Sequence, residues 1–458
     1  PPVPSAHRSA AGAPLNDLDA GPRMSHPSGQ SGRRACAMQR GSRPMKFTWF
    51  NLMPWPYLPD DFREKNRSVW VDIDQGLFDA AKCHEVYNDY LDLLEYADQL
   101  GYDGVGINEH HQNGYGLMPS PNIMAASLAR RTSNAAVVVL GNSIALYNPP
   151  IRVAEEFAML DIMTGGRFVA GFPVGTSMDT NYCYGTIPGL TREKYAEAHE
   201  LIIRAWTEKK PFAFNGRYTK LRHVNLWPNV LQTPHPPIHI PGGGSVETYD
   251  FCLDNTYSYS YLSFSGYMRA KALMEGYWNR VGQRNADQSP YRAGFAQTVF
   301  VAETDEEAER LYSEHAFYFY NRCLHVYPGF ADAPGYRTIK TIQSGNLNQY
   351  MRPNYPTLTW KDLVDGGYII AGSPETVRQR MEELIKGLHV GNIFLLLHVG
   401  NMPKDKCMYS TRLFAEKVMP HLRNVFPEHA SDNRFWCKPL PRRASPAPVG
   451  HAEMVPAK

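Results

Sequence analysis

From residue 45 onward, short runs of apolar, β-branched and aromatic residues alternate with longer stretches in which apolar positions recur three and four apart. Continuous apolar runs suit strands buried on both faces, and the three-four spacing suits helices with one buried side, so the alternation predicts parallel βα units. Eight strands are expected, at 46–53, 103–108, 135–142, 167–173, 237–241, 257–264, 296–302 and 392–398. Between the first two, Tyr87, Tyr90, Leu91, Leu94 and Ala97 fall at helical spacing and end at Gly101, a residue suited to a left-handed cap. Further helices are expected from Ser120-Pro121, from about Arg152 to Met163 ahead of Gly165-Gly166, and from Thr191 through Trp206. Thr304 to Glu307 reads as a capping box, and Ser373-Pro374 repeats the Ser-Pro helix start.

Eight strands with helices between them predict an α/β fold, the (β/α)8 TIM barrel, whose active site lies where the C-terminal ends of the strands pass into loops. A doubly wound sheet is disfavoured, because no G-x-G-x-x-G follows any strand. The segments 54–80, 174–235 and 313–365 are too long for plain connections and are expected to wall or cover the catalytic face.

Composition changes this picture mainly at the ends. Of the 458 residues 43% are hydrophobic and 20% charged, which excludes disorder of the whole chain. Residues 1–44 are rich in Pro, Gly, Ser, Ala and Arg without apolar periodicity, and are expected to be a disordered extension; 425–458 read as a Pro-rich tail, leaving 45–424 as the barrel. The net charge of +2 is unevenly placed, since both ends are basic and the middle is acidic, so a nucleic-acid-binding face is not expected. No run of 18 apolar residues suggests a membrane span. Seven scattered cysteines without a C-x-x-C point to a reducing, cytoplasmic setting and to plain thiols.

The candidate chemistry sits at strand ends. The second strand empties into Asn108-Glu109-His110-His111-Gln112-Asn113. Adjacent strand residues face opposite ways, so the two histidines are poor co-ligands and no metal is expected; one imidazole at the barrel mouth is left as a base or hydrogen-bond donor. The third strand ends with Asn142 and the eighth with His398. The fifth ends in Gly242-Gly243-Gly244-Ser245 and turns into a helix carrying Thr248, where backbone N–H groups and hydroxyls could cradle a phosphate. Gly372-Ser373-Pro374-Glu375-Thr376 is a rival cradle, although a cap explains it fully. Trp55 and Tyr57 in the first insertion, with Tyr182, Tyr184, Tyr257, Tyr259 and Tyr261, suggest an apolar or planar substrate, against ordinary core packing.

Together, Gly101 to His111, the run from Asn148 to Arg167, the Gly-Gly-Gly-Ser-Val-Glu-Thr turn and the closing Leu413 to Leu422 resemble the bacterial luciferase-like flavin monooxygenase family, in order over 45–424. The resemblance implies a TIM barrel that binds reduced FMN (FMNH2), reacts it with O2 to a flavin peroxide and inserts one oxygen atom into a small organic substrate. It further implies a separate NAD(P)H flavin reductase as partner, and a homodimer through helices near the second and third strands. Carried over by position, His110 is the catalytic histidine, and Asn142, Gly243, Gly244, Ser245 and Thr248 fall at the cofactor; from their own places at strand ends and in the first insertion, Asn108 is expected at the cofactor and Trp55, Tyr57 and His398 are the expected substrate contacts. Val174 stands where luciferase proper has an arginine for the phosphate, so light emission is not the expected activity. Arg152, Glu155 and Glu156 read more simply as a salt-bridge framework. The alternatives are a deazaflavin-dependent oxidoreductase of the same fold and a non-catalytic flavin-binding protein.

Overall fold

The structure is a computed structural model that describes residues 45–175, 177–262, 264–331, 335–343 and 355–441. The extension expected at 1–44 and the last part of the expected tail, 442–458, lie outside the described residues.

Eight parallel strands close a barrel: β1 (Lys46–Phe50), β2 (Gly104–Ile107), β3 (Ala136–Val139), β4 (Phe168–Gly171), β7 (Ile238–Gly242), β8 (Ser258–Tyr261), β9 (Ala293–Val301) and β11 (Asn392–Leu396). They pair in that order, and β11 returns to β1 with Lys46 opposite Asn392. Each of the eight expected strands is one of these. Their runs of Val, Ile, Phe and Ala are buried on both faces because helices cover the outside and facing strands fill the inside. Inside the barrel Phe50 meets Phe394 and Phe394 meets His239; outside, Phe157 stacks on Phe172 and Trp206.

Three strands were not expected. β10 (Ile369–Gly372) pairs with the second half of β9 alone and stands outside the closed ring. β5 (Phe212–Asn215) and β6 (Lys220–Val224) form a separate antiparallel hairpin within the 174–235 insertion.

The helix Ala80–Leu100 is capped by the Asp79 side chain, which accepts from Ala81 N and Lys82 N, and it ends at Gly101 with φ +85°. Helices Pro121–Arg131 and Ile151–Met163 follow β2 and β3 as expected. The folded part extends beyond residue 424, which corrects the expected boundary. At the N-terminal end of the barrel, Phe435 is buried and its carbonyl accepts from Nε2 of the fully buried His239. Arg434 pairs with both carboxylate oxygens of Asp287, and Leu440 N donates to Gly165 O. One buried aromatic ring, an ion pair and a backbone hydrogen bond thus hold a Pro-rich segment that has no secondary-structure period of its own.

Candidate active site

The C-terminal ends of β2 and β3 are pressed together: a Cβ on Gly141 would lie 2.3 Å from Glu109 N. This close approach fixes the loop that carries Glu109, His110 and His111. The two imidazoles diverge, as strand alternation requires. His111 Nε2 lies 3.1 Å from Glu109 Oε1, while Tyr147 OH and Ser143 N both donate to the same carboxylate. Burial, with the Glu109 carboxylate beside it, pushes the Tyr147 phenol far up, so it stays a donor. His110 Nδ1 instead lies 2.8 Å from Oδ2 of Asp179, whose side chain is wholly buried. Among the described residues no cluster of His, Cys, Asp and Glu is arranged to hold a metal ion.

Asp179 belongs to the short helix Met178–Cys183, in the insertion after β4. Its carboxyl pKa lies below the usual carboxylate range: burial alone would raise it, but the charge and hydrogen bond of His110 outweigh that. Around His110 the Tyr115 ring sits 4.5 Å away and the Trp70 ring 6.0 Å away; Tyr115 continues to Phe264, and Phe264 to Phe319. This aromatic chain is the wall next to the imidazole.

At the ends of β1 and β2, Asn51 Nδ2 and Asn108 Oδ1 are buried and have no hydrogen-bond partner among the described residues. An unpaired buried amide donor and acceptor cost free energy unless a bound group meets them. Asn142 differs: its amide is exchanged with Asn122 and also donates to Gly141 O. Asn122 in turn donates to Glu156, which pairs with Arg152, so the polar residues of helix Ile151–Met163 form the salt-bridge framework expected of them. Asn142 is therefore committed to the protein.

At the end of β7, Ser245 caps the helix Val246–Asn255, and its Oγ lies 2.7 Å from Thr248 Oγ1. Arg192 Nη2 donates to Ser245 Oγ at 3.1 Å, while its Nε is buried without a partner. Val174, Arg192, Ile240, Glu247 and Thr248 line a pocket of about 170 Å³ at this end of the barrel, and the Glu247 carboxylate accepts from the hydroxyls of Thr338 and Thr341. A helix start, two hydroxyls and a guanidinium make an anion cradle. The rival turn is filled: Asp305 accepts from Ser373 N and from Thr376 Oγ1, so a carboxylate already occupies that helix start. A depression of about 480 Å³ beside the hairpin, lined by Lys209, Phe212 and Trp227, contains none of these groups.

Among the described residues the expected substrate contacts Trp55, Tyr57 and His398 make no ring contact with this wall. Trp55 is buried, donates to Leu77 O and packs on Tyr57 and Phe78; Tyr57 is half exposed. His398 is buried against Tyr90 of the helix layer and donates from Nε2 to Met402 O; burial holds its pKa down at about 4. In β8, Tyr259 packs on Tyr249 and Tyr277, and just before the strand Tyr257 bonds His199, so these two rings are core packing. Asp179, Arg192, Asn51 and Trp70 carry no local signature in the sequence; only folding brings them to the site.

A family model described as luciferase-like monooxygenase matches residues 68–389. The chain belongs to this family. As a luciferase-like monooxygenase it is a flavin-dependent monooxygenase by enzyme class. It is 25% identical to limonene 1,2-monooxygenase of Rhodococcus erythropolis over 72% of this chain and 80% of that protein. It is also 25% identical to the oxygenase component of a flavin-dependent trigonelline monooxygenase of Acinetobacter baylyi, over 52% of this chain and 65% of that one. The same barrel occurs in the oxygenating constituent of 3,6-diketocamphane monooxygenase of Pseudomonas putida in complex with FMN: TM-score 0.62, 19% identity, over 82% of this luciferase-like monooxygenase and 98% of that chain.

Proposed function

We propose that the protein is the oxygenase component of a two-component system, taking FMN already reduced by a separate NAD(P)H flavin reductase and placing one atom of O2 in a small, apolar organic substrate. The reading is carried by one observation: a single end of the barrel holds the anion cradle of Arg192, Ser245 and Thr248 together with the unpaired amide atoms of Asn51 and Asn108. A phosphorylated isoalloxazine needs both features, an anion seat and a donor-acceptor pair for its polar ring edge, so the residues present fit the group. Gly243 and Gly244 belong to the turn that would let backbone approach the phosphate.

When bound, reduced FMN supplies the electrons that allow one oxygen atom to enter the substrate while the other leaves as water. The protein's share is positioning and proton handling. Trp70, Tyr115, Phe264 and Phe319 exclude water beside His110, and His110 holds or moves a proton at Nε2, which has no hydrogen-bond partner among the described residues. The names of the relatives, acting on limonene and diketocamphane, favour neutral cyclic substrates, in keeping with this wall. Ile123 on helix Pro121–Arg131 and Met159, Ile162 and Met163 on helix Ile151–Met163 are exposed, which supports a homodimer through these helices. Free thiols at all six described cysteines accord with a cytoplasmic setting.

The test is an anaerobic titration of the full chain with photoreduced FMN, followed by admission of 18O2 with a panel of cyclic terpenes and ketones. Saturable binding and one 18O atom per product molecule are expected. Binding of a deazaflavin in place of FMN, with hydride transfer and no labelled product, would overturn the reading.

A further inference from the structure

We propose that Asp179 is a positioning residue for His110: it holds the imidazole with its proton on Nδ1, leaving the Nε2 lone pair free to accept a proton. The inference deepens the reading of His110 as the proton-handling group, and rests on it.

Oδ2 of Asp179 collects three donors. His110 Nδ1 lies at 2.8 Å, Asn113 Nδ2 at 3.0 Å and His111 N at 3.3 Å. Asn113 then accepts from Tyr115 N and Gly116 N, both at 3.0 Å, so the loop after β2 is folded about this single carboxylate oxygen. An ionised carboxylate is acceptor-only, and convergent donors are the arrangement that keeps it ionised when buried. Opposite an acceptor-only oxygen, a neutral imidazole must place its hydrogen on the facing nitrogen, which here is Nδ1. Nε2 then carries the lone pair. When it takes up a proton, the positive charge forms beside a buried negative one without any side chain moving.

The neighbouring pair shows what a purely structural arrangement looks like. His111 and Glu109 are joined by Tyr147 and the Ser143 amide, Tyr184 covers the His111 ring, and that ring is 4% exposed against 15% for His110. One histidine-carboxylate pair is sealed, and the other opens by one nitrogen. The groups facing the open pair are His111, Asn113, Trp70 and Tyr115, with Ser177 and Cys183 from the segment that carries Asp179; none of them carries a fixed positive charge that could take the place of the carboxylate.

The experiment is nitrogen NMR on full-length protein with 15N-labelled histidine, above pH 8, with the His110 signals assigned by their loss in His110→Gln. The wild type is expected to show a protonated Nδ1 and an unprotonated Nε2. Asp179→Asn keeps this pattern, because the two amide donors hold the Asn oxygen in place of Oδ2. Asp179→Ala loses it, and the unprotonated-nitrogen signal moves to Nδ1 or averages between the two. An unprotonated Nδ1 in the wild type overturns the proposal, and that result does not require any variant to fold. An unchanged pattern in folded Asp179→Ala also overturns it. Anaerobic titration with reduced FMN is run on each sample, with dissociation constants expected within threefold of the wild type. If the wild type binds no reduced FMN but shows the expected tautomer, the functional reading fails and the pairing stands; if FMN binds and the tautomer is wrong, the pairing alone fails.

Discussion

Arg192 reaches from the start of helix Thr191–Thr207 to the cap of another helix, donating from Nη2 to Ser245 Oγ at 3.1 Å while its buried Nε remains unpaired. A guanidinium with a spare buried donor beside a helix N-terminus is poised for an anion that neither hydroxyl could hold alone. Arg192→Ala should therefore weaken reduced FMN binding about tenfold to a hundredfold, the equivalent of one charged hydrogen bond of roughly 1.5–3 kcal/mol. Riboflavin, which lacks the phosphate, should bind wild type and variant alike. Comparing the two ligands by anaerobic fluorescence titration checks this, and an equal loss for both would show that Arg192 supports the fold rather than the phosphate.

Phe435 packs at the opposite end of the barrel, where its carbonyl meets His239 and its ring lies between the guanidinium groups of Arg292 and Arg434. Removing a buried phenyl group costs about 3–5 kcal/mol. Phe435→Ala should lower the chemical-denaturation midpoint accordingly and leave flavin affinity unchanged. A chain ending at residue 424 should be less stable still, because it also loses the Arg434–Asp287 pair.

The barrel was legible because its eight strands are near-continuous apolar runs, a pattern that parallel strands buried on both faces impose on the sequence. β10 is not called for by the barrel, because Ile369-Ile-Ala-Gly372 pairs with β9 alone and the ring closes with eight strands without it; the hairpin is hidden because Lys220-Leu-Arg-His-Val224 is largely exposed and charged. His110 and Ser245 were visible because they stand at strand ends, where topology alone directs residues to one face. Asp179 and Arg192 were not, since their roles exist only once an insertion folds back over that face. Trp55 and Tyr57 show where composition is ambiguous, because aromatic residues look alike in a substrate wall and in a packed loop; Trp55 packs on Tyr57 and Phe78, whereas the rings beside His110 are Trp70 and Tyr115. The Pro-rich C-terminal segment was underrated for a similar reason: a few anchoring side chains leave no pattern.

Met159, Ile162 and Met163 lie on the outer side of helix Ile151–Met163, and Ile123 lies on the adjacent helix Pro121–Arg131. Burying them between two copies would remove a strip of apolar surface from water at roughly 25 cal/mol per Å². Placing a charge at its centre should undo the association. In size-exclusion chromatography with light scattering, the wild type is expected to elute as a dimer and Ile162→Glu as a monomer. A monomeric wild type would remove the homodimer from the proposed function and leave the single-barrel site untouched.

Buried histidines make the fold acid-sensitive, and three of them are shifted furthest. Burial lowers the pKa of His199, His239 and His398 to about 4 each, from an ordinary value of 6.5. The folded state holds these rings neutral, whereas the unfolded chain protonates them below about pH 6.5. Unfolding therefore takes up protons, and the stabilisation present above pH 6.5 is lost progressively as the pH falls toward 4. Each shift corresponds to roughly 3 kcal/mol at full effect, so the three together can exceed the margin of an ordinary domain. Denaturation midpoints should fall steeply between pH 6.5 and 4.5. His239→Gln, which keeps a side chain able to donate toward Phe435 O but cannot titrate, should start from a lower midpoint at neutral pH and show a shallower slope. A slope equal to that of the wild type would mean that His239 contributes nothing to the acid transition, and would leave it to the other buried rings, among them His199, His235, His315, His325 and His398.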